Sequence, residues 1–379
     1  MYSCWNGWKI LRRINEILNS NRQSANDISK EEILASNPAE LCNINLYRFG
    51  PLIGSSCENS VNIYAAERKD TKKPVAIRCV NLEYLKIPLS LLEDELQITG
   101  RLHHPNILSF LCSFTNDSYI FTVTNHMSYG SCRDLLHAHF KGGLPEQAIA
   151  YILKETLRGL AYLHKQNIVH RSLRGSHILV GSQGRVKLSG LRYCRAIDHL
   201  EPTHLSSGRR VIHDFPDVGF QSSLIWASPE LLEQNLAGYT VKSDIYSLGI
   251  TACELANGGP PFDDMPKMRM LLEKINGIVP MLEDSKTVPS CDRTFSNNFH
   301  LMVESCLRLD AHTRPRAVEL LHDDFFKVTK KRSISEALPE LLLPIRPLSR
   351  LERGHESDYE FLSNEMNNIT CAETIEWSF

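Results

Sequence analysis

The stretch HRSLRGSH, His170 to His177, concentrates groups that could do chemistry: two imidazoles and two hydroxyls. An unactivated hydroxyl such as that of Ser172 is a poor proton acceptor near neutral pH. The neutral imidazole of His177 suits soft transition metals, whereas magnesium takes hard oxygen donors. Further on, KLSGLR supplies Gly190, which carries no carboxylate, and Arg192, which carries positive charge. Upstream, VAIR carries the cation Arg78 and LLEDELQ the carboxylate Glu95. Together these residues offer fixed positive charge without a strong base or an oxygen cage for a hard cation.

Composition narrows the setting. The chain has 379 residues, 42% hydrophobic and 23% charged, with a formal net charge of -2. That is ordinary for a globular protein and gives no basic surface for nucleic acid. No apolar run reaches the length of a membrane span, and MYSCWNGWKILRRINEIL lacks the apolar core and cleavage site of a signal peptide. The 11 cysteines are odd in number and contain no C-x-x-C pair, which fits buried thiols in a reducing compartment. His103, His104, His137 and His139 read as surface or turn residues.

The elements that must position these groups follow from periodicity. Residues 1–43 read as a flexible N-terminal segment. Within it Trp5, Trp8, Leu11, Ile14, Ile17 and Leu18 recur at helical spacing, predicting a short amphipathic helix packed on its own domain. YRFGPLIG, SVNIYAAER and KPVAIRCVNL predict three antiparallel strands, LSLLEDELQITGRLHHP a helix, and ILSFLCSFTND with YIFTVTNHM two more strands. From Gly130 helical patterns take over, interrupted by the strand–turn–strand HILVGSQGRVKL. After Val328 the chain turns basic and reads as a mainly extended tail. A small β-rich lobe followed by a large α-rich one is an α+β architecture.

The order of these pieces resembles a protein kinase domain over residues 44–328, with an N-lobe at 44–127, a C-lobe at 128–328 and a tail at 329–379. VAIR matches the V-A-I-K strand, and Glu95 the helix glutamate that pairs with its basic residue. Ser228-Pro229-Glu230 matches A-P-E, Asp244 to Gly249 the buried helix of the large lobe, and Arg314 the arginine that pairs with Glu230. The resemblance implies phosphoryl transfer, which depends on a base and on metal ions that neutralise phosphate charge. The matching positions here hold Ser172 for the catalytic Asp, His177 for the metal-binding Asn and Gly190 for the Asp of D-F-G. The catalytic and metal positions are therefore degenerate, and no metal site is expected.

The rest of a nucleotide pocket remains. Gly54, Ser56 and Asn59 stand at the three glycine positions of the phosphate loop. Val61 and Ala76 match the roof of an adenine site and Leu179 its floor. Thr124, Asn125 and Met127 match the hinge. Arg78, paired with Glu95, and Arg192 would neutralise an ATP without magnesium. On the residues alone three readings stay open: an adaptor pseudokinase, a scaffold of another signalling pathway, and a weak atypical serine/threonine kinase.

VHRSLRGSHIL, LSGLR, VIHDFP, KSDIYSLGITACELANG and SISEALPELL, with an aromatic pair at the C-terminus, resemble the STRAD adaptors, pseudokinases related to the sterile-twenty kinases. That resemblance implies a non-enzymatic role: binding and allosteric activation of liver kinase B in a heterotrimer with the mouse-protein-twenty-five helical-repeat scaffold. It also implies ATP as a structural ligand, an active-like closed shape, and residence in the cytoplasm and nucleus. The family's terminal Trp-Glu-Phe inserts into the scaffold; here it is Trp377-Ser378-Phe379, with Ser378 removing a negative charge. Ser333 and Ser335 follow Lys330, Lys331 and Arg332 and are candidate phosphorylation sites.

Overall fold

The computed structural model describes residues 12–20, 41–56, 61–85, 88–197, 211–212, 214–215, 222–234, 238–288, 291–343 and 345. Two compact units divide them. One holds the described residues up to Arg101 together with Ser109–His126; the other holds Leu102–Leu108 and Met127 onward.

In the first unit β1 (Tyr47–Ser56), β2 (Val61–Arg68), β3 (Pro74–Asn81), β4 (Phe110–Asn116) and β5 (Tyr119–Asn125) form one antiparallel sheet in the order β1-β2-β3-β5-β4. Their β-branched and aromatic residues suit a pleated surface buried on one or both faces. Tyr64, Ala66, Val75, Ile77, Cys79, Phe114, Phe121 and Val123 make one core. Val61, Val80 and Ile120 make another with Leu92 and Leu96 of helix α2 (Leu89–Arg101). Strand parity decides which residues share the α2 side. Ala76 pairs with Ala65 and Thr124, Arg78 with Ile63 and Thr122, and Val80 with Val61 and Ile120.

Within the N-terminal lead-in the short packed helix expected from the apolar spacing is present. Residues 12–20 form a helix, α1, whose Ile14 and Leu18 are buried in the same core as Leu92 and Leu96. Packing explains it: a short surface helix draws most of its stability from burying an apolar face.

The second unit is built on α6 (Lys242–Asn257), which is buried along nearly its whole length. Such a helix reads as apolar all round and must lie inside a domain. Gly258 ends it in the left-handed region, φ 91°, with its N–H donated to Glu254 O. Around it lie β6 (Gly130–Ser131), α3 (Cys132–Ala138), α4 (Glu146–Lys165), β7 (Ile168–Val169), β8 (Ile178–Val180), β9 (Val186–Leu188), β10 (Arg195–Ala196), α5 (Pro229–Leu232), α7 (Lys267–Ile275), α8 (Asn297–Cys306), α9 (Ala317–Leu320) and α10 (Ile334–Leu341).

Residues 102–108 belong with the second unit although they precede β4. Leu108 N–H donates to Leu188 O and Leu188 N–H to Asn106 O, while the His104 ring stacks on Tyr162. The expected domain end at 328 falls inside the 3-10 helix Asp324–Lys330. Beyond it, α10 buries Ala337 and Leu338, and Gly184 approaches Ile334 so closely that a Cβ there would lie 2.3 Å from its carbonyl oxygen. That close approach, at φ +69°, is what a glycine at 184 permits.

Candidate functional site

The β8–β9 hairpin brings the degenerate positions together. Ile178 pairs with Leu188, so the residues just outside that pair, His177 and Ser189, are neighbours: Ser189 N–H donates to His177 O at 2.8 Å. Gly190 comes next. It takes φ +80°, and a Cβ built on it would lie 2.4 Å from His177 Nδ1 and 2.5 Å from Cγ. The His177 ring thus fills the space that a side chain at 190 would need. The loss of the carboxylate and the gain of the imidazole are one steric fact.

His177 is satisfied where it stands. Its Nδ1 lies 2.6 Å from Ser172 O and 3.3 Å from Ser172 Oγ, and its Nε2 lies 3.3 Å from an Arg174 Nη2. Arg174 can only donate, so Nε2 accepts and the proton sits on Nδ1, directed to the Ser172 carbonyl. Burial, reinforced by the Arg174 charge, holds the His177 pKa well below 6.5, so the ring is neutral. Nδ1–H faces Ser172, so the imidazole has no lone pair to activate the Ser172 hydroxyl. Ser172, 1% exposed, instead shares a hydrogen bond of 2.9 Å with Ser223 Oγ. A serine–histidine nucleophile is excluded by this tautomer and burial.

The loop itself is tied down from α6. Asp244 accepts the N–H groups of His170 at 2.9 Å and Arg171 at 2.8 Å, and His164 Nε2 lies 2.8 Å away. These bonds hold Arg171 at φ 64°, a conformation rare for a side-chain-bearing residue. His170 Nε2 lies 2.9 Å from Ser189 O, linking the loop to the residue before Gly190. Arg171 donates to Tyr193 O, to Asp214 O and to the Tyr239 hydroxyl.

Sequence reasoning missed Glu254. It is 1% exposed, and its Oε2 accepts Gly175 N–H at 2.9 Å and Trp226 Nε1–H at 2.8 Å. A Cβ at Gly175 would come within 2.6 Å of that carboxylate, so Glu254 and Gly175 require one another. Burial raises the Glu254 pKa against these donors. The one signal in the sequence was a carboxylate inside the apolar run ITACELA. Ser223 and Arg174, which tie to Ser172 and His177, gave no local signal.

In the first unit Arg78 and Glu95 form a two-pronged ion pair, Nη1–Oε1 and Nη2–Oε2 both 2.8 Å, with side chains 14% and 10% exposed. Parallel N–H···O bonds of this kind fix geometry as well as charge. Val61, Ala76 and Thr124 lie on the same face of the sheet as Arg78, and Thr124 Oγ1 donates to Ala76 O. Gly54 pairs with Ile63 and Ser56 with Val61, so both sit at the β1–β2 end. Asn125 closes β5 opposite Val75. In the second unit Met127 is buried beside Gly181, Leu179 is half-buried on β8, and Arg192 is half-buried in the 3-10 turn Leu191–Tyr193. Trp377 and Phe379 lie outside the described residues.

The expected structural pair is present: Glu230 accepts from Arg314 Nη1 at 2.7 Å and Nη2 at 3.0 Å, the arginine being fully buried. Among the described residues no group of three or more His, Cys, Asp or Glu side chains could hold a metal ion, and no helix is long and apolar enough to cross a membrane. The residues at 172, 177 and 190 do not fit magnesium, because a neutral ring fills the space beside Gly190 and none of the three carries a carboxylate.

A β-sheet unit carrying a buried arginine–glutamate pair, and a helical unit whose central aspartate holds a His-Arg loop, define a protein kinase domain. The chain matches that family over residues 47–326. It is 38% identical to STE20-related kinase adapter protein alpha of Mus musculus over 400 residues, covering 94% of this chain and 91% of that protein. The Homo sapiens alpha protein matches to the same extent. STE20-related kinase adapter protein beta of Homo sapiens is 36% identical over 346 residues, covering 80% of this chain and 81% of that one. The chain belongs to the STE20-related kinase adapter proteins.

Proposed function

We propose that this chain is a catalytically inactive pseudokinase that works as an adaptor by binding. The observation that carries the reading is the neutral His177 ring packed against Gly190, where phosphoryl transfer would need a carboxylate and its metal. Ser172 supports it, since its buried hydroxyl is engaged by Ser223 rather than free to act as a base. Three coupled losses leave no route for a phosphotransferase, while the pairs that hold the fold, Arg78–Glu95 and Glu230–Arg314, are kept.

The partner is liver kinase B, activated allosterically in a heterotrimer with the mouse-protein-twenty-five scaffold and shared between cytoplasm and nucleus. ATP acts as a structural ligand without magnesium. Arg78 and Arg192 supply the positive charge, Val61, Ala76 and Leu179 the apolar surface, and residues 124–127 the backbone groups. A ligand that binds one conformation selects it. Trp377 and Phe379 are the anchors for the scaffold, two aromatics in a polar tail being what a short docking motif needs.

Reconstitution tests the reading. Liver kinase B and the scaffold are purified with and without this chain, and partner activity is measured. Activation that depends on the chain, with no phosphotransfer by the chain alone, is the expected result. Unchanged partner activity overturns it. ATP should raise the melting temperature equally with magnesium or with chelator, and no ATP shift in either buffer rejects the ligand. Deleting Trp377 to Phe379 should weaken scaffold pull-down.

A further inference from the structure

We infer that α1, residues 12–20, is a built-in brace that holds α2 where Glu95 meets Arg78. Ile14 is fully buried and Leu18 is 4% exposed. Four residues apart, they lie on one face of the helix and enter the core formed by Leu92 and Leu96 of α2 with Val61, Val80 and Ile120 of the sheet. Ile17 is partly buried against the same cluster. The opposite face is polar, with Arg12 and Glu16 paired at 3.2 Å in solvent.

One hydrogen bond and one charge contact join the helix to its neighbours. Arg13 Nε lies 3.1 Å from Glu93 Oε1, a charge contact without hydrogen-bond geometry, and the Glu93 side chain is only 9% exposed. Asn15 Oδ1 accepts from Thr115 Oγ1 of β4 at 2.9 Å. The short helix is thereby clamped to α2 on one side and to the sheet on the other. Glu93 and Glu95 are two residues apart on α2, and both are buried. Arg13 neutralises the first, and Arg78 takes the second in a geometry that tolerates little displacement. Without α1, Leu92 and Leu96 lose apolar partners and Glu93 loses its cation. Both losses favour a displaced or frayed α2, and with it a broken Arg78–Glu95 pair. The residues of α1 are positioning residues for that pair. Any consequence for nucleotide affinity rests on the function proposed above.

Hydrogen exchange on the full-length chain, without nucleotide, tests the brace, so its outcome is independent of whether ATP binds. In I14D/L18D, amides of residues 89–101 should exchange at least ~10-fold faster, the order expected when two aliphatic contacts to one element are lost. Amides of α6 in the other unit should keep their wild-type rates. The second variant, R13E, alters a side chain 71% exposed and leaves no cavity; it places a like charge on Glu93, and α2 exchange should rise a few-fold, about the size of one ion-pair reversal. Wild-type exchange of α2 in both variants overturns the inference. So does an equal rise in α2 and α6, which would mark general destabilisation. Should I14D/L18D not fold, R13E decides alone.

Discussion

Restoring aspartate at position 190 should be destructive by itself and tolerated only when His177 is removed with it. In G190D the new Cβ falls 2.4 Å from His177 Nδ1 and 2.7 Å from Cε1, on a backbone at φ +80°. A side chain in that left-handed region costs about 1–2 kcal/mol. The imidazole has no small adjustment available, because Ser172 O and Arg174 hold its two nitrogens. Expelling it breaks the Nδ1–H bond in buried surroundings, at about 1–3 kcal/mol. G190D should therefore lose about 2–5 kcal/mol, the sum of those two effects. H177N alone, which leaves a small cavity, should lose about 1–3 kcal/mol. In the double variant the overlap is gone, so the losses do not add; the coupling should be about 1–3 kcal/mol in the favourable direction. Urea denaturation of the four proteins, followed by tryptophan fluorescence, measures the cycle. If G190D matches wild type within ~0.5 kcal/mol, or the two losses add within that margin, then His177 does not occupy the space and the coupled-loss reasoning fails.

Three further outcomes are expected. The triple variant S172D/H177N/G190D should gain an ATP-induced thermal shift that depends on magnesium, whereas no single variant should; a magnesium-dependent shift in the wild-type chain would contradict the site described above. His170 and His177 are both held below 6.5 by burial. The unfolded chain takes up protons below that pH and the folded chain does not, so stability is full above about pH 6.5 and falls as pH drops, by at most ~1.4 kcal/mol per pH unit for each group. H177N should flatten the slope of stability against pH between 6.5 and 5, and superimposable slopes would reject a neutral buried ring. R314M strands the carboxylate of Glu230 in a largely buried setting and should cost about 3–5 kcal/mol; a loss below ~1 kcal/mol would show the pair to be screened by solvent.

Much of the scaffold was legible because its determinants are local. Short runs rich in Val, Ile, Tyr and Phe between turn residues marked β1 to β5, and apolar residues at helical period in SDIYSLGITACELAN marked α6. Arg78 with Glu95, and Arg314 with Glu230, were found from their motifs, and each closes as a two-pronged pair. Ser172, His177 and Gly190 could be recognised as substitutions, but not for what they do in place. Nothing near Ser172 in the chain announces Ser223, and nothing near Gly175 announces Glu254. The tail is legible only in part for the same reason: the periodicity of SISEALPELL is visible, while the close contact of Ile334 with Gly184 that seats α10 is not.

What the residues settle by their chemistry alone is a set of absences and one charge pattern: no carboxylate at 172 or 190, no oxygen donor at 177, and arginines at 78 and 192. These follow from side-chain type and need no coordinates. Tertiary structure decided that the residues at 177 and 190 depend on one another, because hairpin register puts His177 and Gly190 in contact and only a glycine leaves room for the ring. It also decided that α1 reaches α2, since an amphipathic face does not say which element will cover it. Contacts between distant parts of the chain carry the energy in both cases, and residue type and local spacing do not encode where a distant partner will be.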